Sequence, residues 1–91
     1  MSSFTYTEEK QWNYNNEVPS YIYHLRNGVK HGKEQTWYQN GHRRHEMSFF
    51  NGNLHGRARW WNKDGSINRI HYYIYDKKVS EEEFEVYKGV K

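Results

Sequence analysis

Cysteine is missing from the chain, which excludes disulfides, thiolate metal sites and a cysteine nucleophile together. Proline occurs once, at Pro19. No apolar run approaches the roughly 18 residues that span a bilayer. The opening MSSFTYTEEK has no apolar stretch of the kind a signal peptide needs. These absences together give the expectation of a cytoplasmic protein. Aliphatic residues are also scarce, with a hydrophobic fraction of only 34%. Charge of either sign is unremarkable: the net value is +3, and the densest basic stretch is His42-Arg43-Arg44-His45. Enzyme signatures are missing too. No Gly-rich phosphate loop precedes a helix and no nucleophile elbow occurs. Asp64 and Glu46 are single acids. A non-enzymatic protein without a catalytic residue, cofactor or metal site is therefore expected.

What the chain does have is aromatic residues, at 19%: nine Tyr, four Trp and four Phe. A disordered chain would be poor in them. Each ring can bury on the order of 150–250 Å², so rings can stand in for an oily interior in one small domain spanning 1–91.

The rings and glycines repeat. Gly28 and Gly52, Gly32 and Gly56, Trp37 and Trp61, and Gly41 and Gly65 are each 24 residues apart. Trp12-Asn13-Tyr14 precedes Thr36-Trp37-Tyr38 by the same step. A fixed period in this range marks a repeat architecture. The units are 27–50 and 51–75, preceded by a degraded copy at 10–26, in which Glu17 replaces the turn glycine, and by a lead-in at 1–9 around Phe4 and Tyr6.

Turn chemistry sets the class. Asn40-Gly41 and Asp64-Gly65 suit tight hairpins with φ > 0 at both central positions. The stretches from Asn27 to Gly32 and from Asn51 to Gly56 read as longer loops with a glycine at each end. Between the turns lie Tyr-, Trp-, Phe-, Thr- and Ile-rich segments. They predict six strands: Gln11–Tyr14, Ser20–Arg26, Lys33–Tyr38, Arg43–Phe50, Arg57–Asn62 and Ile67–Tyr75. The fold is all-β, a single twisted antiparallel meander of 24-residue hairpin units. Near the end, Ser80 with Glu83 forms a capping box and Val79 with Phe84 a hydrophobic staple. They predict a short capping helix from Glu81 to Lys88.

A single sheet cannot hide both faces, and contiguous exposed rings mark protein interfaces. The candidate interaction surface is Trp37, Trp60, Trp61 and Tyr72 with Arg43, Arg44, Arg57 and Arg59. Open sheet edges add the expectation of a homo-oligomer, most simply a homodimer. The alternative is nucleic-acid binding, with bases stacked on those rings among the arginines. Six histidines are present, at 24, 31, 42, 45, 55 and 71. His31 and His55 are equivalents beside the loop glycines, which assigns them to the turns rather than to a metal.

The unit NG-x-x-HG-x-x-x-x-WY-x-NG, over roughly Tyr23 to Asp76, resembles the MORN-repeat variant of many bacterial proteins, some labelled antitoxins, and of giant viruses of amoebae. The closing D-K-K-V-S-E-E-E-F resembles the segment that often ends such arrays. The resemblance implies a flat antiparallel sheet acting as a scaffold that dimerises and meets lipid or partner proteins. For a viral member the compartment would be the host cytoplasm.

Overall fold

Short runs of rings, β-branched residues and charges, cut at fixed intervals by turn residues, fold here as one antiparallel sheet. The computed structural model describes residues 7–15 and 18–89. Phe4, Tyr6 and Glu17, which carry the expected lead-in and the degraded first turn, lie outside those residues.

The chain forms β1 (Thr7–Asn13), β2 (Pro19–Arg26), β3 (Val29–Lys30), β4 (Gly32–Trp37), β5 (Arg43–Phe50), β6 (Asn53–Leu54), β7 (Gly56–Trp61), β8 (Ile67–Ile74), β9 (Lys77–Val79) and α1 (Glu81–Tyr87). The sheet order is β1-β2-β4-β5-β7-β8-β9, with β3 on β2 and β6 on β5. The result is a meander of hairpins, but with nine strands rather than six. The extra three arise because the chain pairs again directly after each turn, as β3, β6 and β9. A kink at His31 or His55 then separates β3 from β4 and β6 from β7. Thr7–Glu9 belong to β1.

The tight turns are also placed differently. Among the described residues, positive φ outside glycine occurs at Asn27 (51°), Asn51 (48°), Tyr75 (45°) and Asp76 (71°), not at Asn40 or Asp64. The two-residue turns with φ > 0 at both positions are thus Asn27-Gly28, Asn51-Gly52 and Tyr75-Asp76. They close the rungs Arg26↔Val29, Phe50↔Asn53 and Ile74↔Lys77. At Asn40-Gly41 the loop is one residue longer. Tyr38 N–H bonds to His42 C=O at 2.8 Å and Gly41 N–H to Tyr38 C=O at 2.9 Å. Only the glycine is left-handed there. Asn40 uses its side chain to cap its own turn, Oδ1 accepting from His42 N–H at 3.0 Å, and Asp64 does the same with Ser66 N–H at 2.9 Å. A β-bulge at Trp37 and another at Trp61 go with these longer loops.

The sheet is a slab of 41 × 40 × 19 Å. Its core is thin: the buried residues are Ala58, Val79, Phe84, Glu34 and Glu46, and no large side chain among the described residues is wholly enclosed. Apart from Phe84, the described rings are part-exposed rather than interior. Along each strand side chains alternate between two faces. One face is crossed by α1. Ser80 Oγ caps the helix by accepting from Glu83 N–H at 3.0 Å, and Phe84 packs on Tyr72 with ring centroids 5.4 Å apart and the planes tilted by 38°. Among the described residues no helix is long and apolar enough to cross a membrane.

Candidate interaction surface

On the helix face, β4, β5 and β7 bring Gln35, Glu46 and Arg59 into one row across the sheet. Glu46 is only 4% exposed. A buried carboxylate needs partners, and it has four: Arg59 Nη1 at 3.1 Å, Lys33 Nζ at 3.3 Å, Arg43 Nη1 at 3.9 Å and Gln35 Nε2 at 3.2 Å. Three cations meet one acid, so this patch carries a local positive excess.

Arg43 also lies over the Trp61 ring, 5.5 Å from its centroid, and is in register with Trp37. The bulges set these residues beside the longer loops. Trp37, Gly41, His42, Arg43, Trp61 and Gly65 line an open groove of about 350 Å³ between the two loops. Gly65 is left-handed at φ 93°, and a Cβ there would sit 3.2 Å from the His42 ring, which would have to shift. Further along, Arg57 packs over Tyr72 and Phe84 at 5.9 and 5.8 Å and pairs with Glu85 at 3.5 Å. Arg57 and Tyr72 are therefore partly spent in holding α1.

Two of the expected surface residues lie elsewhere. Trp60 is on the far face, where Arg69 covers it at 4.7 Å and His71 meets its edge at 5.1 Å. Arg44, at the bulge, lies over Tyr38 at 5.9 Å. The structure thus joins Arg43 and Arg59 at Glu46, sets Trp37 and Trp61 with Arg43 along the groove, places Arg57 and Tyr72 beside the helix, and separates Trp60 and Arg44 from both.

The far face holds a cluster that the repeat pattern did not single out. Lys30 Nζ sits among Tyr21, Tyr23 and Phe49 at 6.0, 5.1 and 5.1 Å from their centroids and bonds to Glu34. His45 Nε2 approaches the other Glu34 oxygen at 3.5 Å, while His45 Nδ1 is 3.0 Å from the Thr36 hydroxyl. The hydroxyl can donate to Nδ1 and leave the Nε2 proton for Glu34. His45, and then Lys30, hold the Glu34 carboxyl below its ordinary range, with burial acting against them. For Lys30, burial opposes the charge, but the bonds to Glu34 and Tyr21 outweigh it and the pKa is raised. The signal in the sequence was the pair Glu34 and Ala58, repeat equivalents of opposite polarity at a buried position.

Along one rim the units are tied by equivalent bonds. His31 Nδ1 accepts from Asn51 N–H at 3.1 Å, and His55 Nδ1 from Tyr75 N–H at 3.0 Å. Along the other rim, Tyr14 Oη donates to Trp37 C=O at 2.6 Å and Tyr38 Oη to Trp61 C=O at 2.7 Å. Each unit thus holds the turn or strand end of the next. Comparison of the chain with protein-family models, with curated proteins and with solved structures gave no match.

Proposed function

We propose that the protein is a non-enzymatic interaction module of the MORN-like kind that self-associates and docks a protein partner on its helix face, in the cytoplasm of the cell that makes or hosts it. The observation that carries this reading is the cation cluster on Glu46 joined through Arg43 to the groove rings Trp37 and Trp61. Trp37 and Trp61 supply flat apolar area, and Arg43, Lys33 and Arg59 leave positive charge beyond what one carboxylate neutralises. Trp and Arg are the residues that anchor protein interfaces, and the charge suits a partner with an acidic patch. The test is an affinity capture with Arg43→Glu and Trp61→Ala as controls. A partner retained by the parent and lost by both folded variants supports the reading; a partner retained equally by both refutes the site.

The stack of Arg43 on Trp61 favours a second reading, in which a single-stranded nucleic acid lays bases on those rings. That reading requires binding that weakens steeply with salt. Fluorescence anisotropy of a labelled single-stranded oligonucleotide decides it: a flat titration at low salt removes it. The protein reading is preferred because the guanidiniums of Arg59 and Arg57 are engaged with Glu46 and Glu85.

A further inference from the structure

Every internal seam between units has the same two-part plan. Near the tight turn, the chain folds back on itself, giving Leu25↔Lys30 and Arg26↔Val29 at the first seam and Phe49↔Leu54 and Phe50↔Asn53 at the second. Farther along, the next long strand adds two rungs, Tyr21↔Thr36 and Ile22↔Gln35, then His45↔Trp60 and Glu46↔Arg59. At the third seam only the first part is built. β9 pairs with Tyr72, Tyr73 and Ile74, and the chain then leaves for α1. Arg69 and Ile70, one 24-residue step beyond His45 and Glu46, have no rung on their outer side among the described residues. Ile67 and Ile70 are 49% and 40% exposed at that edge.

The opposite end of the strand order is β1, whose strand neighbour among the described residues is β2. It is the strand of the first unit, because Gln11-Trp12-Asn13-Tyr14 precedes Gln35-Thr36-Trp37-Tyr38 by one period. The molecule therefore ends on one side with a strand of the type the other side lacks.

We propose that β1 of one copy docks on the free half of β8 of the next, in the register of the internal seams, with Gln11 opposite Ile70 and Trp12 opposite Arg69. This deepens the reading of the protein as a self-associating module and rests on it. The partner is a second copy of this chain, joined head to tail. Two observations favour that occupant. The Gln11–Ile70 rung repeats a pairing already present at the first seam, Ile22 with Gln35. Arg69 already lies over one indole, Trp60, at 4.7 Å on the far face, and Trp12, half exposed, would close on its other side. Pairing two β8 edges about Arg69 would set like charges side by side.

Val79 and Ser80 hold the places that Thr7 and Glu8 of the incoming strand would take. The new seam therefore begins near Lys10, with Thr7–Glu9 parting from the edge, and it needs no more than the two rungs that the distal half of each internal seam has. Such a heterologous contact repeats at each free end and builds linear arrays rather than a closed dimer.

Cysteine pairs test this directly, since the chain has none of its own. Gln11 and Ile70 lie five strand spacings apart within one molecule, about 24 Å, too far for an internal disulfide. The double variant Gln11→Cys/Ile70→Cys is expected to give a ladder of covalent multimers under mild oxidation, and a mixture of the two single variants only crossed dimers. Ile70→Lys, at an exposed site that leaves the fold intact, should weaken association roughly tenfold by sedimentation. Covalent dimers from Ile70→Cys alone, or association unchanged in Ile70→Lys, would overturn the edge-to-edge register while leaving a face-mediated module standing. A parent that stays monomeric at high concentration would overturn both.

Discussion

Gly56 and Ser80 stand at the same place in successive units, and the chain does opposite things there. Up to that point the paths agree: His55 N–H bonds to Ser48 C=O at 2.9 Å, and Val79 pairs with Tyr72. Gly56 then takes φ 119°, as Gly32 takes 99°, and the chain continues as a long strand. Ser80 takes φ −74° and ψ 162°, caps a helix and leaves the sheet plane. The left-handed bend is open to glycine and strained for anything with a Cβ. At Gly56 there is also little space, since a Cβ would meet the Ser48 Cβ at 3.1 Å. Serine extends instead, its hydroxyl takes the Glu83 N–H, and three glutamates in the first turn complement the helix dipole. One residue and the acidic run after it decide whether the array grows or stops.

The sharpest way to break that contrast is Gly56→Val. Left-handed strain and crowding against Ser48 add up to about 4 kcal/mol of lost stability, read from the shift in urea midpoint at constant slope. Adding Ser48→Gly should recover the crowding part only. A Gly56→Val protein as stable as the parent would mean that the bend is not what carries the chain into β7. Next in size is Phe84→Ala. Phe84 is 5% exposed and is the buried anchor of α1, so truncation should cost about 3 kcal/mol. The far-ultraviolet helix signal should fall while the strand signal stays, because a helix of this length does not persist unpacked.

Ser80 itself gives a smaller effect with more information. Ser80→Ala removes the cap and should cost about 1 kcal/mol, whereas Ser80→Gly should cost only a few tenths. If Ser80→Gly instead lost the helix signal and gained strand, the glycine alone would be sufficient to extend the array. The glutamate run argues that it is not.

The period of 24 residues made most of this legible. Equal spacing of Gly28 with Gly52 and Trp37 with Trp61 implies hairpins in step, and Ser80 with Glu83 marks the helix start within a residue. Two things were not readable. Asn-Gly occurs in both kinds of turn, and whether the asparagine goes left-handed, as Asn27 does, or caps with its side chain, as Asn40 does, depends on one residue of loop length fixed by the bulge. The faces were also hard to assign past the bulges. Trp60 and Trp61 are adjacent, yet one contacts Arg69 and the other Arg43 on opposite sides. Alternation places neighbours on opposite faces but does not say which residues will share a groove.

Glu34 and Ala58 form a second pair of equivalents whose difference can be measured, and here the effect shrinks as the pH falls. Ala58 is 1% exposed and simply fills its site. Glu34 occupies the same kind of site as an ion held by His45 and Lys30, with its pKa lowered from 4.5. A carboxyl whose folded pKa lies below its unfolded one adds stability above the unfolded value and loses it as pH falls through the folded one. The expected window is therefore acidic, below 4.5. Glu34→Gln keeps the shape and some of the hydrogen bonds, so its cost near neutrality should be about 1 kcal/mol. Its urea midpoint should then fall less than the parent's between about pH 5 and pH 3, so that the two curves converge. Parallel curves over that range would show that Glu34 contributes no ion pair to the fold, and that the polar and apolar versions of the site are held by packing alone.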